Sequence, residues 1–129
     1  MSDQVLELKK MTKETENFRQ VVFTGQHSQL VIMSLHPGEE IGEEVHRVDQ
    51  ILYMVKGEGE AVIEGKTNEF EKGAAIVVPS GLRHNIRNTG DEPLKLFTIY
   101  SPPQHAPGTV QANKTDAPME QQQPATMPS

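Results

Sequence analysis

The stretch GAAIVVPSGLRHNIRN, residues 73–88, sets a short apolar run between a glycine and a proline, then a histidine at the head of a second run. Ala74–Val78 is too short for a helix and reads as a strand bounded by turn residues. Gly81 permits the tight turn that aims His84 inward, and Asn88 reads as a residue that fixes the next turn rather than as a ligand. The same rhythm extends both ways. Between Phe18 and Tyr100 the runs FRQVVFTG, QLVIMSLHPG, ILYMVKGEG, EAVIEG, NEF, AAIVVPSG, NIRNTGDEP and LKLFTIY alternate with Gly, Pro, Asn and Asp. About eight short strands at roughly ten-residue intervals, with no helix after residue 17, indicate an all-β sandwich or barrel. KGEGEAVIEGK reads as a hairpin arm, whereas VLELKKM is compatible with an edge strand or a short helix.

Composition narrows the function. A chain of 129 residues is one domain with a modest core. Aromatics are 5% and tryptophan is absent, so the interior is built from Val, Ile, Leu and Met. A net charge of −6 without a basic run excludes nucleic acid as a partner. The absence of cysteine removes disulfides, thiolate metal sites and a thiol nucleophile together, so a metal here needs His, carboxylate or amide ligands. No signal-peptide pattern and no run of roughly 20 apolar residues are present, so the expectation is a cytoplasmic protein without membrane association. Six of the nine prolines follow Tyr100. The expected organisation is therefore a barrel over residues 1–110 with an N-terminal strand or arm, and a disordered, flexible Pro/Gln-rich tail over 111–129.

A second segment, IGEEVHRVDQ, residues 41–50, crowds acids, a histidine and a glutamine ahead of ILYMV. Together the two segments resemble the paired motifs of the cupin superfamily, small single-domain type. The second family motif, G-x5-P-x-G-x2-H-x3-N, matches at Gly73, Pro79, Gly81, His84 and Asn88. The first, G-x5-H-x-H-x3,4-E-x6-G, keeps its spacing from Gly38 to Gly57 but carries Glu44, His46 and Gln50 at the ligand positions. The resemblance spans roughly residues 30–100 and implies a double-stranded β-helix, or jelly roll, with one divalent metal ion (Zn, Fe, Mn or Ni) held by Glu44, His46, Gln50 and His84. Both departures are to oxygen donors, and the anionic count stays at one. Glu44 is preferred to Glu43 because residues 44 and 46 share a face at period two; family spacing prefers Gln50 to Asp49.

Parity with the ligands nominates Leu52, Met54, Ile86, Phe97 and Ile99 for the pocket wall, with Tyr53 and Tyr100 as the set for the opposite register. Arg83 and Arg87 flank His84 and read as exposed strand arginines, with a carboxylate or phosphate clamp as the alternative. His27, His36 and His105 are set aside as a turn, a strand exit and a tail residue. The resemblance implies a small-molecule ligand or substrate and a metalloenzyme, either an oxygenase or an isomerase or lyase; the alternative is a non-catalytic binding module. The edge formed by VLELKK and FRQVVFTG is expected to pair in a homodimer.

Overall fold

The structure is a computed structural model, described for residues 4–116. One helix, α1 (Leu8–Glu14), precedes β1 (Arg19–Thr24), β2 (Gln29–Leu35), β3 (Asp49–Lys56), β4 (Glu58–Ile63), β5 (Lys66–Glu71), β6 (Ala75–Val78), β7 (His84–Asn88), β8 (Leu94–Ser101) and β9 (Val110–Gln111). The strands form two antiparallel sheets, in the orders β6-β3-β8-β2-β1-β9 and β5-β4-β7. The eight expected strands are all present. No described helix is long and apolar enough to cross a membrane.

Local chemistry explains the elements. LKKMTKE contains good helix formers, and its one buried residue, Thr12, returns its hydroxyl to Leu8 O at 2.7 Å, so the open choice for VLELKKM resolves as a helix from Leu8 onward. The helix is held from below by Lys95, whose ammonium donates to Thr15 O and whose pKa is lowered by burial. Glu64 and Gly65 both have positive φ, 49° and 81°, which is the two-residue turn that suits the twist of the β4–β5 hairpin.

The interior is layered by period-two alternation. Along β3, Gln50, Leu52 and Met54 point inward; their partners across β8 are Tyr100, Thr98 and Leu96. These continue on β2 as Gln29, Val31 and Met33. One end of the barrel is therefore polar and the other apolar, closed by Leu35, Leu94 and Phe70 in the same buried cluster. Full burial of each such aliphatic side chain contributes about 1.5–3 kcal/mol.

Two expectations are corrected. Leu52, Met54 and Ile86 line the interior as anticipated, but Phe97 and Ile99 lie on the outer face, where Phe97 stacks on Tyr53 at 5.3 Å between ring centroids. The register of β8 against β3 puts even-numbered residues inside, so Tyr100 is the inward tyrosine and Tyr53 the outward one. The boundary at residue 110 falls inside β9, which pairs with β1, and Phe18 N–H donates to Ala112 O at 3.0 Å. Gln111 is 4% exposed and donates to the Lys114 and Asp116 carbonyls, so residues 111–116 belong to the barrel wall. The rest of the anticipated tail, 117–129, lies outside the described residues.

Candidate metal centre

His84 opens β7 and is buried, while Glu44 and His46 lie in the segment between β2 and β3 rather than on a strand. A backbone bridge positions Glu44: its N–H donates to His84 O at 2.8 Å and His84 N–H donates to Glu44 O at 2.9 Å. Gly81, at φ 92°, turns its N–H onto His46 O at 2.7 Å. The face shared by residues 44 and 46 is thus set by hydrogen bonds to the second motif, not by a strand pleat.

The side chains converge. His46 Nε2 is 3.1 Å from Glu44 Oε1, and His84 Nε2 is 4.0 Å from the same oxygen. One donor atom each from Glu44, His46 and His84 lies within 4.8 Å of the others, a group that could hold a metal ion. His84 Nδ1 lies 2.9 Å from Leu82 O; a carbonyl only accepts, so the proton is on Nδ1 and the Nε2 lone pair is free. That Nε2 is buried with no hydrogen-bond partner. Gln50, 3% exposed, donates its amide to Thr98 Oγ1 at 3.0 Å and leaves Oε1 buried and unpartnered. Buried acceptors left unpaired cost about 1–3 kcal/mol each, so the His84 Nε2, 4.0 Å from the Glu44 carboxylate, fits a cation as its partner. Burial pushes the Glu44 carboxyl up, but the hydrogen bond with His46 and the electrostatic influence of His46, Arg19 and His84 outweigh it and hold the pKa below the ordinary glutamate value.

The neighbouring residues separate cleanly. Glu43 is exposed and pairs with Arg83 at 3.7 Å; Asp49 is exposed and accepts Ser80 N–H at 3.0 Å. Arg87 pairs with Glu40 at 3.7 Å and Glu60 at 3.5 Å, so both flanking arginines are surface residues. Asn88 ties the turn after β7 to Leu35 O and Glu92 O, at 3.0 and 2.9 Å. His27 and His36 are exposed.

His105, expected in the tail, is instead buried, with Nε2 3.3 Å from the Tyr100 hydroxyl. Tyr100 meets the His46 ring edge-on at 6.0 Å between centroids. Gln29 causes this: its amide accepts from the Gln104 and His105 N–H groups and donates to His105 O, clamping the segment after β8 into the barrel end. Sequence reasoning also passed over Arg19, whose inward position was signalled only by sharing a face with Val21.

A family model described as a cupin domain matches residues 31–100. YrkC of Bacillus subtilis (strain 168) is 45% identical over 121 residues, covering 88% of this chain and 64% of YrkC, so the chain spans less than two thirds of that relative. A crystal structure of a Bacillus halodurans protein superposes with a TM-score of 0.83 at 40% identity, covering 85% of this chain and 89% of that one. More distantly, a 5-nitrosalicylic acid 1,2-dioxygenase from Bradyrhizobium is 29% identical over 66 residues, 51% of this chain and 32% of the enzyme. Two antiparallel sheets, a convergent Glu/His/His group and a family match over more than half its length agree: the chain belongs to the cupin family.

Proposed function

We propose that this cupin binds one divalent ion through Glu44, His46 and His84, with the Gln50 carbonyl oxygen as fourth donor, and acts on a small organic molecule that chelates the ion. The observation that carries the reading is the convergence of the three donors within 4.8 Å on a buried, unpartnered His84 Nε2. Bound there, Fe, Mn, Ni or Zn supplies Lewis acidity or, for Fe and Mn, oxygen activation. The chain's own residues do the positioning. Leu82 O fixes the His84 tautomer, Thr98 fixes the Gln50 amide, and the apolar layer of Leu52, Met54 and Ile86 excludes water. Oxygen-dependent cleavage of a chelating enol, diketone or phenol ranks just ahead of isomerase or lyase chemistry, and the dioxygenase relative supports that order.

The test pairs metal analysis with oxygen uptake. Protein purified without chelator should retain a divalent ion that the His46→Ala, His84→Ala double variant lacks; equal metal in both refutes the site. Turnover of a panel of chelating substrates that stops under argon supports the oxygenase, turnover indifferent to argon supports the isomerase or lyase, and tight ligand retention without turnover supports a binding module.

A cytoplasmic homodimer is part of the proposal. Leu8–Lys10 of VLELKK are helical and β1 is flanked by β2 and β9, which argues against the edge of VLELKK and FRQVVFTG as the pairing surface. A better face is the outer surface of β3, β6 and β8, where Ile51, Tyr53, Val77 and Ile99 are exposed side by side with Phe97. On a chain of net charge −6 this uncharged patch is the surface where two copies meet without repulsion, so a second copy is its occupant.

A further inference from the structure

The two imidazoles of the centre are held differently. His84 has its ring fixed by Leu82 O beside Nδ1, the arrangement that aims a ligand histidine at its ion. His46 has no such tether: its Nδ1 is buried without a hydrogen-bond partner among the described residues, and its Nε2 faces Glu44. Gly81 N–H anchors the His46 carbonyl, which leaves rotation about the side-chain bonds open. Ring packing must therefore set the direction of this imidazole. Two rings meet it: His84 at 5.4 Å between centroids, tilted by 58°, and Tyr100 at 6.0 Å, edge-on at 85°. His84 belongs to the donor set itself, so Tyr100 is the ring whose place does not depend on the ion.

Tyr100 is built as a fixed wall. Its main chain lies in register with Gln50 on one side and Gln29 on the other, and it is 1% exposed. The His105 ring meets it edge-on at 5.1 Å and 79°, with Nε2 3.3 Å from its hydroxyl. Both edge-on contacts fall in the separation range that favours aromatic pairs. His105 is held in turn by Gln29, which bonds the His105 N–H at 2.8 Å and the His105 carbonyl at 2.7 Å. A continuous line of contacts thus runs from Gln29 through His105 and Tyr100 to His46.

We propose that Tyr100 is a positioning residue for His46, replacing the hydrogen bond that its Nδ1 lacks, and that the segment after β8 pins Tyr100 through His105 with Gln29 as the latch. The inference rests on the metal-site reading and deepens it: side chains that never touch the ion set how firmly His46 holds it.

The experiment loads the full chain with Co(II) and follows the visible absorption of the bound ion and its release to excess chelator. The proteins are the unmodified chain, Tyr100→Phe, Tyr100→Leu, His105→Leu and the Tyr100→Leu, His105→Leu double variant. Tyr100→Leu should release cobalt about tenfold to a hundredfold faster, with an altered absorption envelope, the scale of loss when the support of a ligand is removed. Tyr100→Phe keeps the ring but gives up the hydroxyl, so it should recover part of that loss and match His105→Leu, each about fivefold faster than the unmodified chain. The double variant should stay within about twofold of Tyr100→Leu, because His105 acts through the tyrosine. Release rates within about twofold across all five proteins overturn the proposal, and so does a double variant equal to the product of the single effects. A lowered thermal midpoint with an unchanged cobalt spectrum also overturns it, since the ring then only packs. Should Tyr100→Leu fail to fold, Tyr100→Phe and His105→Leu decide alone, and identity of both with the unmodified chain refutes the idea. Failure of the metal reading is separable: a chain that takes up no cobalt refutes the site and this inference with it, whereas uptake that His46→Ala abolishes and Tyr100 does not influence removes only the inference.

Discussion

Replacing Gln50 with glutamate should destabilise the metal-free chain and stabilise the loaded one, two effects of opposite sign from one substitution. Gln50 is 3% exposed and its side chain donates its amide to Thr98 Oγ1. A carboxylate there can still accept from the Thr98 hydroxyl, but a second acid is then enclosed beside the Glu44 group. The cost without metal is about 1–3 kcal/mol, and for a chain of this size each kcal/mol moves the thermal midpoint by about 3–6 °C. With a divalent ion, the new anionic ligand should tighten binding about tenfold to a hundredfold, which at saturation adds about 1.4–2.7 kcal/mol. Metal should therefore raise the midpoint of Gln50→Glu by about 5–15 °C more than it raises that of the unmodified protein. Scanning calorimetry of chelator-stripped protein, with and without excess Zn(II) or Mn(II), reads both legs. Equal metal-induced shifts in the two proteins, or weaker metal retention in the variant, place Gln50 outside the coordination sphere and refute the reasoning.

Thr98→Val keeps the volume but releases the Gln50 amide, so metal affinity should fall about tenfold while the metal-free midpoint falls by only about 1 kcal/mol equivalent, measured by competition with a chromogenic chelator. Ending the chain at residue 109 removes β9 and leaves Arg19 Nη1 without its acceptor, at a cost of about 1–3 kcal/mol in urea denaturation, whereas ending it at 116 should retain the midpoint. A lysine at Val77, which is 63% exposed, should convert the proposed dimer to a 14.3 kDa species in sedimentation without lowering the thermal midpoint; an unchanged sedimentation coefficient refutes the face. His105→Phe removes the contact with the Tyr100 hydroxyl and should cost about 1 kcal/mol in denaturation, with metal content unchanged because His105 is no ligand.

Much of this protein is legible in its sequence because the deciding physics is local. A proline, a glycine at positive φ and a histidine three residues on make a turn that aims an imidazole inward whatever surrounds it, and the Pro79–Gly81–His84 spacing does so here. Along β3 the run Ile51–Val55 is apolar on both faces, so it is period-two parity with Gln50, itself placed by the motif spacing, that puts Leu52 and Met54 inside.

What tertiary structure decided are the places where local pattern is degenerate or the partner is distant. In β8, LKLFTIY, apolar side chains occupy both faces, so period two selects neither; pairing with β3 chose Leu96, Thr98 and Tyr100 and left Phe97 and Ile99 outside. VLELKK carries no alternation that separates a strand from a helix, and burial of Thr12 in the fold accompanies the helical choice. An arginine in FRQVVFTG reads as solvated until a glutamine 92 residues away supplies its acceptor, and His105 reads as tail until Gln29, 76 residues earlier, binds its backbone. A buried polar group is stable only if a partner meets it, and a linear sequence states the group without stating the meeting.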